Sequence, residues 1–543
     1  MRNPSAHLVA DNGSVYNALI ATLTSTLRRG LGNRARALAV LHPSSDVRPL
    51  SQALPANPSI IHLGVVLDTE HAFRLVDHGP PAEDEESEQA KIFRNLWGEK
   101  AELRRFKDGS ITESVVWDVR SADERAHIPS LIIQHLLQRH LGIRAEHVTT
   151  WQTQFDALLR TPESIRALYE ARGATAGFKA ALTAFDALVK QIKALDDQLP
   201  LAVLNVSPAS PALRYTDVLV PVALASPSRV GVPAPASYLP AMEVIVEFEK
   251  SGRWPDDLRA IQKIKLAFFE RLATTLMAAV KGLQATVVLG ERTERMDIQD
   301  EAALDVITPD GWAFRARIWH DREATLLDRI INGQSHIPKA LRRNITGEEA
   351  RERQAALQAR DVYLRRFIHA PRHHRAIAAL SHKFPAFAGT VRLTKRWLAS
   401  HWLLCSHVSE EAAELLCAHL FVRTGASLTT ETTALPAGVP GTKERGFAQV
   451  LAFLKDWDWT KGLVVPLDYG DQDVMPADPS PPASGTAAWS LVTSVDPSGH
   501  MWTSFGPNAV VARRIATIAK ASWATLAQSD SKDLEAKVSL RIQ

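Results

Sequence analysis

The Asp-Gly pair at 108–109, set between the runs Ala101–Phe106 and Ile111–Val116, constrains local geometry more tightly than any other feature of this chain. A type I′ turn needs positive φ at both central residues, which Gly reaches without steric cost. Strand-like runs on either side of Asp-Gly therefore predict a β-hairpin. The surrounding segment, FRNLWGEKAELRRFKDGSITESVVWD from Phe93 to Asp118, adds Trp97, Trp117 and the cations Lys100, Arg104, Arg105 and Lys107. On a hairpin rim these cations can meet phosphates. Equally, Glu99, Glu102, Asp108 and Glu113 can balance them on an ordinary solvated face.

The segment resembles the signature of the Nrap family, the nucleolar RNA-associated proteins of the small-subunit processome. There an FWG-x-K-x-ELRRF-x-DG-x-I-x-E-x-VVW string closes a nucleotidyltransferase-like domain, and Phe93, Trp97, Gly98, Lys100, Glu102 to Phe106, Asp108, Gly109, Ile111, Glu113 and Val115 to Trp117 fit it. VEFEKSGRWPDDLRAIQKIKLAFF, from Val246 to Phe269, is similar to a string of the fourth family domain. A fifth-domain string is matched by Thr390 to Leu393, Lys395 to Trp397, His401, Ser409 to Glu411 and Glu414 to Leu416.

The resemblance implies an α+β multidomain chain of tandem nucleotidyltransferase-like α/β units and helical poly(A)-polymerase/oligoadenylate-synthetase-like units. The implied divisions are 1–120 (domain three), 121–318 (domain four, helical with a small α/β lobe), 319–465 (domain five), 466–530 (a reduced domain six) and a tail at 531–543. Domains one and two have no counterpart here. The implied role is a non-catalytic RNA-binding scaffold of the small-subunit processome, in its UTP-C subcomplex, in pre-rRNA processing and 40S ribosome biogenesis. The implied location is the nucleus and nucleolus. Implied partners are pre-rRNA, the U3 snoRNP and other UTP-C and processome proteins, with casein kinase II a further candidate; no cofactor or metal is implied.

At 543 residues the chain exceeds one core and predicts about three to five domains. Its 63 basic and 60 acidic residues leave a net charge of only +3, so a nucleic-acid surface must be a local patch. Two cysteines, Cys405 and Cys417, argue against a disulfide scaffold, and both sit in an apolar stretch that predicts buried thiols. No apolar run approaches the roughly 18 residues that span a bilayer.

In chain order, Leu19, Ile20, Leu23, Leu27, Leu31 and Leu38 predict a helix from Val15 to Ala39, interrupted near Gly30 to Gly32. Ser59–Asp68 predicts a buried strand in a parallel or mixed sheet. A loop precedes the strand Ala241–Glu249, and a helix from Asp256 follows with that acid at its N-terminus. Lys339–Arg375 is the most basic stretch. Arg342, Arg343, Arg365, Arg366, Arg372 and Arg375 are its phosphate candidates on and beyond a helix from about Glu348 to Ile368, which Pro371 should interrupt. The same charges also suit a salt-bridged solvent helix. His369, His373 and His374 lack an acidic or Cys partner at ligand spacing. In the fifth-domain string, Lys395 and Arg396 are expected to be exposed and are further candidates for RNA contact.

Nucleotidyltransferase chemistry needs a Gly-Ser turn, an Asp-x-Asp pair on the next strand and a third carboxylate, because two nearby cations require several carboxylates on one edge. Neither Gly13-Ser14 nor Gly109-Ser110 is followed by Asp-x-Asp. Asp456/Asp458 and Asp471/Asp473 have the spacing without the turn. An active RNA nucleotidyltransferase with carboxylates gathered from distant segments, and a scaffold that binds only protein, stay open beside the RNA-binding scaffold.

Overall fold

The computed structural model describes residues 5–41, 61–68, 70–84, 86–106, 109–119, 123–150, 155–161, 176–223, 241–252, 254–289, 298, 301–333, 345–422, 439–470 and 487–528. Three hydrophobic cores organise them.

The first core gathers Leu23, Leu27, Leu31, Trp97, Trp117, Ile132 and Leu136. Ser14 caps the helix Val15–Leu31 by accepting from the Asn17 amide at 3.1 Å. The helix stops at Gly32, short of the expected Ala39, and Ala35–Leu41 continues as strand β1. Gly32 ends the helix at φ 50°, at the expected break, and Arg34 beyond it turns inward to a fully buried position. There its Nε and Nη2 donate to Asp77 at 3.2 and 2.8 Å, and Nη1 donates to the Ala72 carbonyl at 2.7 Å. Strand β2 (His62–Leu67) pairs antiparallel with β1 and is only half-buried, so the expected buried strand in a parallel or mixed sheet is corrected. A separate antiparallel sheet has the order β3 (Val76–Pro81), β5 (Ile111–Val116), β4 (Glu102–Arg105), with β4 at the edge.

The second core lies beneath a five-stranded mixed sheet ordered β6 (Val203–Pro208), β7 (Met242–Phe248), β10 (Ala313–Trp319), β9 (Ala303–Ile307), β8 (Gln284–Val288). Only β7 and β10 run parallel. Phe185, Phe269, Leu272 and Phe314 fill the space between this sheet and the helices Phe178–Lys193 and Leu258–Ala279. The second helix is capped by Asp257, whose carboxylate accepts from the Ala260 amide; Asp256 instead pairs with Arg329 at 2.6 Å.

The third core is helical: Ala370–Lys383, Pro385–Ser400, Glu410–Val422, Lys443–Asp456 and Ala509–Gln528, joined by the short parallel pair β11 (Leu463–Val464) and β12 (Leu491–Val492). Pro371 does not end the preceding helix. A π-turn over Leu364–His369 carries Ile345–Tyr363 into Ala370–Lys383, with Pro371 in the first turn, where its missing N–H costs least. Cys417 is buried as expected, its thiol pushed up to about 12 by burial. Cys405 is exposed on a loop, at φ 63°.

A buried charge cluster fastens the second unit to the third. Glu414, fully enclosed, accepts from Arg214 Nε (3.1 Å), Thr216 Oγ1 (2.6 Å) and Lys395 Nζ (2.7 Å), and His373 Nε2 lies 2.6 Å away. Burial alone would raise the Glu414 pKa; Arg214 and Lys395 outweigh it and hold the group well below the ordinary carboxylate range.

Candidate nucleic-acid interface

The expected pairing of the two strands is present, but the two-residue turn centred on Asp-Gly is corrected: the Gly109 amide donates to the Phe106 carbonyl at 3.0 Å, and three residues separate the paired Phe106 and Ser110. The Phe106 amide donates to the Ser110 carbonyl at 2.9 Å, Gly109 stands at φ 88°, and Arg104 and Arg105 sit opposite Thr112 and Ile111. Every residue of β4 is exposed. Because strand side chains alternate, Arg104 and Glu102 share a face and pair at 2.8 Å, while Arg105 points the other way. Lys100 is exposed, with its Nζ 4.7 Å from the centroid of the buried Trp117 ring. Glu113 is not on this rim: it is buried and paired with Arg94 at 2.8 Å, so the acids around the hairpin are fewer than the sequence suggests. Lys107 and Asp108 lie outside the described residues, as do Arg342 and Arg343.

The second basic group divides. Arg375 is exposed, while Arg365, Arg366 and Arg372 are half-buried. Arg365 stacks 4.5 Å from the Phe505 ring centroid, and burial draws its pKa down. Arg366 Nε stands 3.8 Å from Glu243. Lys395 corrects the expectation of exposure outright: it is fully buried, paired with Glu410 at 2.9 Å and with Glu414. Its helix, Pro385–Ser400, is enclosed on nearly every side, and a cation there is kept charged by carboxylates. Arg396 beside it is half-buried.

The five-stranded sheet presents its second face through Glu243 on β7, Arg315 and Arg317 on β10 and Asp305 on β9, positions alternating with core residues Val244, Phe314, Ala316 and Val306. Arg315 grips Asp305 through two bonds of 2.7 and 2.8 Å, and Arg317 Nε donates to Glu243 at 2.6 Å. Each of these two carboxylates thus faces a guanidinium. Among the described residues, the only group of three ligand-type side chains within metal-binding reach is Asp68, Glu70 and His71, which the sequence reading missed. Asp68 is already held by Arg36 at 2.8 Å and His71 Nδ1 at 2.9 Å.

Family models match the chain in order along nearly its whole length. Nrap protein domain 3 matches residues 2–142, Nrap protein nucleotidyltransferase domain 4 matches 154–382, and Nrap protein PAP/OAS1-like domain 5 matches 384–541. The U3 small nucleolar RNA-associated protein 22 of Schizosaccharomyces pombe is 29% identical over 542 residues, covering 97% of this chain and 45% of that protein. Nucleolar protein 6 of Xenopus tropicalis is 29% identical, covering 96% and 43%, and that of Homo sapiens 29% identical, covering 94% and 42%. The chain spans less than half the length of these relatives.

Proposed function

The chain belongs to the Nrap family, and on that premise we propose that it is a non-catalytic, RNA-contacting scaffold of the small-subunit processome, working in pre-rRNA processing in the nucleolus. The names of its relatives, U3 small nucleolar RNA-associated and nucleolar, support the setting. Pre-rRNA, the U3 snoRNP and UTP-C proteins are the partners of this reading.

One observation carries the non-catalytic part. On the outer face of the nucleotidyltransferase-like sheet, Asp305 and Glu243 are neutralised by Arg315 and Arg317, where two-metal chemistry needs carboxylates free to hold cations. RNA contact falls to the hairpin rim, where Lys100, Arg104 and Arg105 stand in solvent with Glu113 withdrawn.

Binding of the purified chain to pre-rRNA fragments across a salt series tests this reading. Arg104→Ala with Arg105→Ala should weaken binding and make the logarithmic salt slope shallower by roughly 2, about one unit per phosphate contact removed. Absence of RNA binding by the wild type would leave the protein-only scaffold in its place. Metal-dependent incorporation of labelled nucleotides would overturn the non-catalytic reading.

A further inference from the structure

Among the described residues, the three most exposed large apolar side chains are Trp402 (84%), Val510 (73%) and Phe505 (71%). They lie on elements tied to one another. Ser409 Oγ donates to the Trp502 carbonyl at 2.7 Å, Arg514 Nη2 donates to the His401 carbonyl at 3.4 Å, and Gly506 lies so close to the His407 carbonyl that a Cβ would approach it to 3.1 Å. Val510 and Arg514, four apart on the helix Ala509–Gln528, share a face.

Trp402 adopts left-handed backbone (φ 61°), which a bulky side chain rarely does. The fully buried Leu403 next to it, with its amide donating to the Leu398 carbonyl at 2.9 Å, anchors the turn and leaves the indole in water. Strain that exposes an aromatic ring has no packing rationale.

The chain segments that carry these rings hold cations and no acids. From Arg396 to Val408, and from His500 to Gln528, there is no Asp or Glu, while Arg396, Arg513, Arg514 and Lys520 fall within those stretches. Arg513 and Arg514 are exposed. Arg365 lies under Phe505, leaving the opposite face of that ring open. Acids from neighbouring elements do approach: Asp361 and Glu411 act on Arg365, and Glu410, Glu411 and Asp217 on Cys405. Aromatic faces on segments that carry arginine and no acid of their own suit a polyanion carrying planar groups. A duplex keeps its base faces stacked internally, so unpaired nucleotides are the fitting form.

We propose that Trp402 and Phe505 form a stacking platform for the unpaired bases of single-stranded RNA, with Arg513 and Arg514 meeting its phosphates. The proposal rests on the RNA-contacting reading and gives it a second surface, of different chemistry from the hairpin.

The test is fluorescence anisotropy of the full chain with a labelled oligouridylate of about twelve nucleotides and with an RNA duplex of the same length. Trp402→Ala with Phe505→Ala should weaken oligouridylate binding about tenfold or more, leave the salt slope unchanged because no cation is lost, and leave duplex binding as in the wild type. Trp402→Phe with Phe505→Tyr should retain most of the affinity. Equal oligouridylate affinity of wild type and double-alanine variant, or equal loss on the duplex, overturns the platform. If that occurs while Arg104→Ala/Arg105→Ala still weakens binding, the platform falls and the RNA-contacting reading stands. If the wild type binds neither RNA, both fall.

Discussion

Arg214 Nε stands 3.1 Å from both carboxylate oxygens of Glu414, a residue 200 positions further along the chain, and neither side chain reaches solvent. This pair joins the loop after β6 to the helix Glu410–Val422, and Lys395, Thr216 and His373 close around the same carboxylate. Two buried cations thus depend on one acid and its neighbours Glu410 and Glu411.

Glu414→Gln keeps the shape and removes the charge, leaving Arg214 and Lys395 without their shared counter-ion. Breaking one side of a buried ion pair typically costs about 3–5 kcal/mol. Chemical denaturation should show a loss in that range. A loss below about 1 kcal/mol would mean that Glu410 and Glu411 neutralise both cations unaided.

The same cluster shows where the sequence is legible and where it is not. Local signals survive folding: the runs on either side of Asp-Gly pair as a hairpin, though not through a two-residue turn, alternation in Ala241–Glu249 forms β7, and Ser409 does cap its helix, accepting from the Ala412 amide at 3.0 Å. Features set by long-range partners are not legible locally. Lys395 reads as a surface cation until Glu414 is seen beside it, and Ala35–Ala39 reads as the helix beyond the Gly30–Gly32 break until the chain is seen to pair there as a strand. Glu414 itself, an acid between Ala413 and Leu415 in an apolar helix, is the one local hint of the cluster. Nothing in the sequence around Trp402 marks its ring as exposed, because exposure there is set by backbone φ and by distant elements such as Arg514, which bonds the adjacent His401 carbonyl.

Gly446 lets two helices of the third core touch. A Cβ built on it would lie 2.0 Å from Thr390 Oγ1, the hydroxyl of which donates to the Ala386 carbonyl at 2.7 Å inside a fully buried helix. Gly446→Ala should destabilise by about 1–3 kcal/mol through overpacking, despite Ala's better helix propensity. Thr390→Ala vacates the contested space, so the double variant should recover part of that loss. Strict additivity of the two changes in thermal denaturation would refute the steric explanation.

Asp77 anchors the signature segment. It accepts from Arg34, from Arg74 Nε at 2.8 Å and from Trp117 Nε1 at 2.8 Å, so the second signature Trp is both core and hydrogen-bond donor. Burial raises the Asp77 pKa, but the bonds and charge of Arg34, with Trp117 and Arg74, bring the net shift below the ordinary 3.8. A carboxyl depressed in the folded state contributes stability above its unfolded pKa and loses it as pH falls through the folded value. Asp77→Asn should therefore be clearly less stable than wild type at pH 6, and the gap should narrow as the pH falls below 3.8. A gap that stays constant on acidification would show that shape, not charge, holds this site.

Glu444 predicts the opposite slope. It lies 7% exposed beside a cavity of roughly 190 Å³, also lined by Asp156, Arg392 and Lys443. Burial pushes its pKa up to about 7, against the pull of Lys443 Nζ, 3.2 Å from Oε1. Between the unfolded value of 4.5 and the folded value near 7, the unfolded chain releases its proton first, so stability falls as pH rises through that window. Glu444→Gln mimics the protonated form and should abolish the fall. Denaturation at pH 5 and pH 8 should show the variant gaining on wild type at the higher pH, by at most about 3 kcal/mol. A wild type as stable relative to the variant at pH 8 as at pH 5 would mean that Lys443 keeps the carboxylate charged throughout.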